Sequence, residues 1–250
     1  MDTGPYTVAR WVAEAAAVTV LTGAGISTGS GIPDFRGPQG VWTKDPRAQA
    51  LVTIDAYVAD PQVRVRAWQE RLHHPAWTAR PNAGHRALVD LERTGRLRAI
   101  ATQNIDGLHQ AAGSDPSLVL ELHGTIHRAA CLSCGNEVPM REALDRVEAG
   151  EPDPACPACG GILKSATVSF GQSLDLEVLA AAIAAAKAAD LFLAVGTSLQ
   201  VTPAAGLCDL AIDEGARLVV VNAEPTPYDG AAAAVLREPI EEVLPAIVGW

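Results

Sequence analysis

A chain of 250 residues and 26.0 kDa has room for one large buried core and a second, smaller module. Its 48% hydrophobic, 19% charged and 4% aromatic content excludes a disordered chain and describes a globular one. A net charge of −10 argues against nonspecific grip on a phosphate backbone, and Arg93, Arg96 and Arg98 read as a solvated helix end, so no nucleic-acid partner is expected.

The opening MDTGPYTVARWVAEAAA carries an early acid and no basic start before an apolar block. It reads as an amphipathic helix over 6–17, with a cytoplasmic protein expected. A β-branched apolar strand follows at 18–22 and runs directly into Gly23-Ala24-Gly25. Glycines here are expected to take backbone angles closed to other residues and to leave bare amide N–H groups for an anion. As a dinucleotide fingerprint the loop is incomplete: Thr28 stands where a third glycine belongs, and no acid follows about 20 residues later. Its continuation, Gly31-Ile32-Pro33-Asp34-Phe35-Arg36-Gly37, reads either as a flexible loop covering a cofactor or as a plain surface loop after a helix entry.

Residues 38–80 hold no clear strand. Asp60-Pro61 starts a helix that carries Trp68 and Arg71 and stops by Pro75, a candidate cap or substrate-facing segment. Asn82 caps a helix over 83–94 that Gly95 ends. Strands are expected at 97–102, 119–122, 166–170, 191–195 and 217–221. Helices run from Asp175 to about 189, from Thr202-Pro203 to Gly215, and from Pro239 to Val248. The apolar stretch 179–196 is broken by Lys187 and Asp190, so it reads as helix then buried strand, and no membrane partner is expected. Short apolar strands alternating with helices give the α/β class, a Rossmann-like parallel sheet with helices on both faces.

Cys131-Leu-Ser-Cys134 and Cys156-Pro-Ala-Cys159 are two C-x-x-C knuckles, each followed by glycine. Four thiolates so spaced predict one closed, structural zinc, with redox disulfides and an iron–sulfur cluster as the alternatives. The knuckles fall between expected strands, so residues 125–165 form an inserted zinc module, and 1–124 with 166–250 form the sheet domain. Cys208 lies in an apolar helix and reads as a core thiol. After the strand at 97–102 comes Gln103-Asn104-Ile105-Asp106-Gly107-Leu108-His109, and after 119–122 comes His123-Gly124. In an open parallel sheet both loops emerge at the edge of the glycine loop. There the polar side chains can hold an amide and ribose hydroxyls, and a histidine can take a proton.

Jointly, Gly23 to Ser27, Gly31 to Gly37, Thr102 to His109, His123-Gly124, the cysteine pairs, Phe170-Gly171, Gly196-Thr197-Ser198 and Val221-Asn222-Ala223 resemble the sirtuins, NAD-dependent protein-lysine deacylases, over nearly the whole chain. The resemblance implies NAD as cosubstrate, one structural zinc, an acyl-lysine protein or peptide partner, and His123 as the base. It puts Gly23, Ala24, Gly25, Ser27, Asp34, Phe35, Arg36, Gly196, Thr197 and Ser198 around the phosphates and ribose. Asn222 and Ala223 fall at the adenosine end, and Gln103, Asn104, Ile105 and Asp106 at the nicotinamide ribose and carboxamide. Trp68, Arg71, Val168, Phe170 and Gly171 fall to the substrate. Products are then nicotinamide, O-acyl-ADP-ribose and free lysine, acetyl being the expected acyl group. A longer-chain deacylase, an ADP-ribosyltransferase or NAD hydrolase, and a nonenzymatic NAD-sensing zinc protein are the rivals. Three departures stand out: Trp68 sits three residues before Arg71 where members specialised for acidic acyl groups carry tyrosine, Gln172 replaces the usual glutamate after Phe170-Gly171, and Ser165 replaces the proline that commonly follows the basic residue at Lys164.

Overall fold

The computed structural model describes residues 4–38, 40–44 and 53–249, with the Trp42 side chain left aside. Six strands, β1 (Val18–Thr22), β2 (Leu97–Thr102), β3 (Val119–Glu121), β7 (Leu191–Val195), β8 (Arg217–Val221) and β9 (Ala234–Leu236), form one sheet in the order β3-β2-β1-β7-β8-β9. Every pairing in it is parallel. Order reverses between β1 and β7, and at such a switch the loops leaving neighbouring strands diverge to opposite faces and open a crevice.

Two apolar layers cover the sheet. Val18 and Val20, with Leu193, Val195, Val219 and Val221, face α1 (Pro5–Glu14), α5 (Ala83–Arg93) and α10 (Ile240–Val248). Leu21, Phe192, Ala194, Leu218 and Val220 face α8 (Leu176–Lys187) and α9 (Leu207–Asp213). β1 and β7 are buried along their whole length, as a strand covered on both sides must be. Cys208 is a fully buried core thiol. Local signals set the helix ends: Asp175 accepts from the N–H groups of Glu177 and Val178, and Asn82 from those of Gly84 and His85. Among the described residues no helix is long and apolar enough to cross a membrane.

A second, antiparallel sheet holds β5 (Glu137–Pro139), β4 (Gly124–Cys131) and β6 (Leu163–Thr167) in the order β5-β4-β6. The strand expected at 166–170 therefore lies at Leu163–Thr167 and belongs to this sheet, not the parallel one. It stops there because Ser169 and Gln172 close a turn, with Gln172 N–H on Ser169 O at 3.0 Å and Ser169 N–H on Gln172 Oε1 at 3.0 Å. α9 starts later than Thr202-Pro203 implies, because a 3₁₀ turn takes Ala204–Gly206. The small sheet packs on α4 (Pro61–Leu72) and α7 (Met140–Glu148) around a core of Trp68, Ala129, Met140, Leu144 and Leu163.

The glycine loop corrects one expectation. Gly23 has φ −130° and Gly25 is not in the left-handed region, so neither uses angles closed to other residues. What each uses is its missing side chain. A Cβ on Gly23 would stand 2.8 Å from Gly196 O, and one on Gly25 2.7 Å from Gly196 Cα. Gly196 itself has φ 61°, and its own Cβ would meet Ile26 N at 2.4 Å. Gly25→Ala is expected to force the two loops apart at a cost of about 1–3 kcal/mol, the usual penalty of overpacking. Denaturant unfolding of the variant against the parent checks this, and an unchanged midpoint would contradict it.

Candidate active site

The loops leaving β1, β2, β3 and β7 meet at the carboxyl edge of the parallel sheet. Gly23 N–H bonds Val195 O at 3.0 Å and Gly25 N–H bonds Gly196 O at 2.8 Å. Ala24 to Ser30 then coil as a 3₁₀ helix. Gln103 ties this pair of loops to the next one: its N–H bonds Thr22 O at 2.9 Å and its Nε2 donates to Thr197 Oγ1 at 2.9 Å. The Gln103 carbonyl lies 3.1 Å from His123 Nδ1. A carbonyl can only accept, so Nδ1 carries the proton and Nε2 keeps its lone pair. Desolvation lowers the His123 pKa from its ordinary value, with the Gln103 bond opposing, so the ring favours the neutral form.

Beneath that edge lies a buried polar layer. Ser27 Oγ donates to Asp106 Oδ2 at 2.7 Å and accepts from Asn104 Nδ2 at 3.1 Å. Asp106 Oδ1 accepts from Leu108 N–H at 2.9 Å. Thr22 Oγ1 donates to Thr102 Oγ1 at 2.8 Å, which also accepts from Asn104 N–H at 3.1 Å. Because the Thr22 hydrogen is committed, His109 Nε2, 3.0 Å away, must be the donor to it. His109 Nδ1 is then a bare acceptor and finds no partner. His85 completes the layer, 3.5 Å from Ser27 Oγ and with its ring 5.1 Å from that of His109.

The sequence did not single out His85. Its signal was the Asn82-x-x-His85 spacing, since the His85 ring reaches back to the Asn82 N–H in a capping box at the start of α5. Burial drives the pKa of His85 down to about 4, and drives that of His109, further lowered by His85, down to about 3.

Other expected residues fall as follows. Asp34 Oδ1 accepts from Gly37 N–H at 3.0 Å, so this carboxylate shapes its own loop. Phe35 is 44% exposed beside Arg36 on that loop. Ser198 and Ile105 are half-buried, and the Ile105 carbonyl accepts from Ile126 N–H. Asn222 sits past β8 with Nδ2 on Glu224 O at 2.8 Å, and Ala223 is exposed beside it. Val168 N–H bonds His123 O at 2.8 Å, with Phe170 and Gly171 on the turn beyond. Arg71 Nη2 donates to Ser165 Oγ at 2.9 Å. Trp68 departs from its expected place: it is 2% exposed and packs in the small-sheet core with Cys131 and Cys156, because the apolar face of α4 turns toward that core. Its indole is core, not groove lining.

The four expected cysteines come together with their sulfurs within 4.8 Å of one another. Cys131 and Cys159 sulfurs are 3.5 Å apart, Cys134 and Cys156 sulfurs 3.7 Å. A tetrahedral zinc with bonds of about 2.3 Å places its thiolates about 3.8 Å apart, so the set fits that ion and leaves no open position. The glycine after each knuckle is left-handed, Gly135 at φ 71° and Gly160 at φ 74°. Ser133 and Gly161 N–H groups approach the Cys131 and Cys159 sulfurs at 3.3 and 3.4 Å, respectively.

An open parallel sheet with a reversal of strand order, joined to a four-thiolate module fit for zinc, with a half-buried histidine at their junction, defines a class of α/β proteins. Comparison narrows it. The Sir2 family model matches residues 23–203. A protein of Streptomyces coelicolor named NAD-dependent protein deacetylase 2 is 57% identical over 231 residues, covering 92% of this chain and 96% of that one. NAD-dependent protein deacetylase 1 of Pyrobaculum aerophilum is 43% identical over 244 residues, covering 96% and 92% respectively. Among solved structures, a Sir2 protein with a deacetylated p53 peptide and 3′-O-acetyl ADP ribose aligns with TM-score 0.90 at 34% identity, covering 100% of this chain and 98% of that one. A Sir2 protein bound to acetylated peptide aligns with TM-score 0.85 at 32% identity, covering the same shares. The chain belongs to the Sir2 family.

Two outcomes follow from the geometry. Between pH 6.5 and 4 the unfolded chain protonates His85 and His109 while the folded one does not, so stability falls as pH falls through that window. Urea unfolding at pH 7 and pH 4.5 should differ by about 2 kcal/mol or more, and His109→Gln should shrink the difference. A chelator strong enough to strip zinc should abolish the cooperative unfolding of residues around Trp68, read by tryptophan fluorescence. An unchanged signal would contradict a structural metal.

Proposed function

We propose that this chain removes acyl groups, acetyl foremost, from protein lysines with NAD as cosubstrate, giving nicotinamide, O-acyl-ADP-ribose and free lysine. The observation that carries the reading is His123: its Nδ1–H is spent on Gln103 O, so Nε2 is available as a base at the edge where four sheet loops meet. The naming of the relatives as NAD-dependent protein deacetylases supports the same activity.

When bound, NAD supplies an electrophilic anomeric carbon with nicotinamide as its leaving group. The turn at Gly23, Ala24 and Gly25, packed closely on Gly196 and Thr197 with Ser198 beside them, suits the diphosphate and its ribose, and Phe35 and Arg36 lie on the loop that folds over it. Asn222 and Ala223, at the end of β8, suit the adenosine. Asn104 and Asp106 are held by Ser27 and therefore present fixed donors and acceptors to a ribose and a carboxamide. His123 Nε2 takes a proton from a ribose hydroxyl. The acyl-lysine peptide lies along Val168, Phe170 and Gly171, the segment tied to His123 through Val168 N–H.

Residues 125–165 serve as the inserted module whose zinc organises that side of the cleft. With its thiolates filling every position, the metal takes no part in bond making.

His123→Ala should lower deacetylation of an acetylated peptide by about 10³-fold or more while NAD affinity stays within about threefold, measured by nicotinamide release and calorimetry. In the parent, kcat/KM should fall only below the ordinary histidine range, because His123 is already shifted toward its neutral form. Nicotinamide release that needs no acyl peptide would favour NAD hydrolysis instead.

A further inference from the structure

We propose that Ser165 is a positioning residue for the acyl-peptide segment, the point through which α4 fixes residues 167–171 against His123. The proposal rests on the reading above that Val168 to Gly171 line the peptide groove.

Ser165 is 6% exposed and lies at the middle of β6. Its Oγ accepts from Arg71 Nη2 at 2.9 Å and lies 2.8 Å from Thr167 Oγ1. Residues two apart on a strand share a face, so one hydroxyl joins α4 to the residue that precedes the groove. Lys164, 4% exposed, closes the same knot from behind, its Nζ donating to Ser165 O and Thr167 O. Two cations thus stand side by side, Lys164 buried and Arg71 half-buried, and among the described residues neither is ion-paired with a carboxylate; they rest on hydroxyl and carbonyl oxygens of β6. Burial lowers the pKa of both, and the charge on Arg71 lowers that of Lys164 further, to about 8. Arg71, on α4, therefore holds β6 in place, since moving the strand takes the Ser165 acceptor from its charge, while Lys164, itself on β6, fixes the conformation of residues 164–167.

Along its length the strand's backbone pairs with β4, Leu163 opposite Cys131, Lys164 opposite Ala130 and Ser165 opposite Ala129, and further bonds hold its two ends. Tyr57, on α3 (Ile54–Ala59), donates its hydroxyl to Leu163 O at 2.8 Å, and Ile54 N–H bonds Phe170 O at 3.0 Å. Thr167 lies opposite Gly124, and Val168 N–H reaches His123 O. Between these points the Arg71–Ser165–Thr167 connection is the side-chain link from α4 to the groove. A proline at 165, common in the resembling family, has no hydroxyl to offer, so the link belongs to this chain's own sequence.

The test uses the full-length zinc-loaded protein and four variants: Ser165→Ala, Ser165→Thr, Thr167→Val and the Ser165→Ala/Thr167→Val double. Ser165→Ala should raise both KM and the directly measured Kd for an acetylated peptide by about three- to tenfold, the effect of one hydrogen bond, with KM for NAD within about twofold. Ser165→Thr should restore peptide affinity to within about twofold. Thr167→Val should mimic Ser165→Ala, and the double variant should be no worse than either single one, because both break the same link. Equal rises in both KM values with a lowered unfolding midpoint, an unchanged peptide Kd, or multiplicative effects in the double variant would overturn the proposal. Where Ser165→Ala does not fold, Ser165→Thr and Thr167→Val decide it on the same readouts. A parent that binds acetylated peptide yet turns none over would defeat the reading of the activity and leave this one to be judged by peptide binding.

Discussion

Everything at the candidate site depends on three glycines whose backbones touch. Gly25 N–H meets Gly196 O at 2.8 Å, and the tips of β1 and β7 can approach so closely only because no Cβ intervenes at Gly23, Gly25 or Gly196. That contact sits at the reversal of strand order, where the crevice of an open parallel sheet lies. Gln103 is then placed by both loops at once, through Thr22 and Thr197, and it in turn holds His123. The base is therefore two hydrogen bonds from the glycine loops, and one of the two routes, from Thr22 O through the Gln103 N–H and carbonyl to His123 Nδ1, uses only the Gln103 backbone.

The polar layer below shows why so many titratable groups can sit in a dry place. Asp106 is buried, but Ser27 and the Leu108 N–H satisfy its two oxygens. His85 and His109 are buried as neutral rings, and each spends its useful hydrogen on a hydroxyl that passes the constraint to the 103–106 loop. A loop assembled this way needs little rearrangement when a ligand arrives, and preorganisation of that kind lowers the cost of orienting a reactive bond.

Much of this was legible in the sequence, and the reasons are local. β7, and β8 past Arg217, announce themselves as unbroken apolar runs, β1 and β2 as apolar runs interrupted by threonines and Arg98, and Asn82, Asp175 and Asp60 mark helix starts because their side chains cap bare N–H groups. The cysteine knuckles were legible because metal geometry demands their spacing. What escaped depends on partners distant in the chain. β5 is only three residues long, β4 carries His127 and Arg128 in its middle, and β6 carries Lys164 and Ser165, so nothing nearby distinguishes them from loop, and β6 lies a few residues before its expected place for that reason. Gly23 and Gly25 were recognisable as special, but for the wrong property, since the backbone that crowds them lies about 170 residues away in sequence. His85 was hidden because its role as a cap and its place beneath the site arise from the same turn.

Trp68 carries one last implication. The metal-bearing insertion has few large apolar side chains of its own, and the biggest one in its centre comes from α4, more than fifty residues upstream. Cutting the gene at the insertion's borders would leave a hole where that ring belongs. The knuckles and the distant helix therefore form a single packed unit, with the ion and the borrowed indole acting as two halves of one clasp.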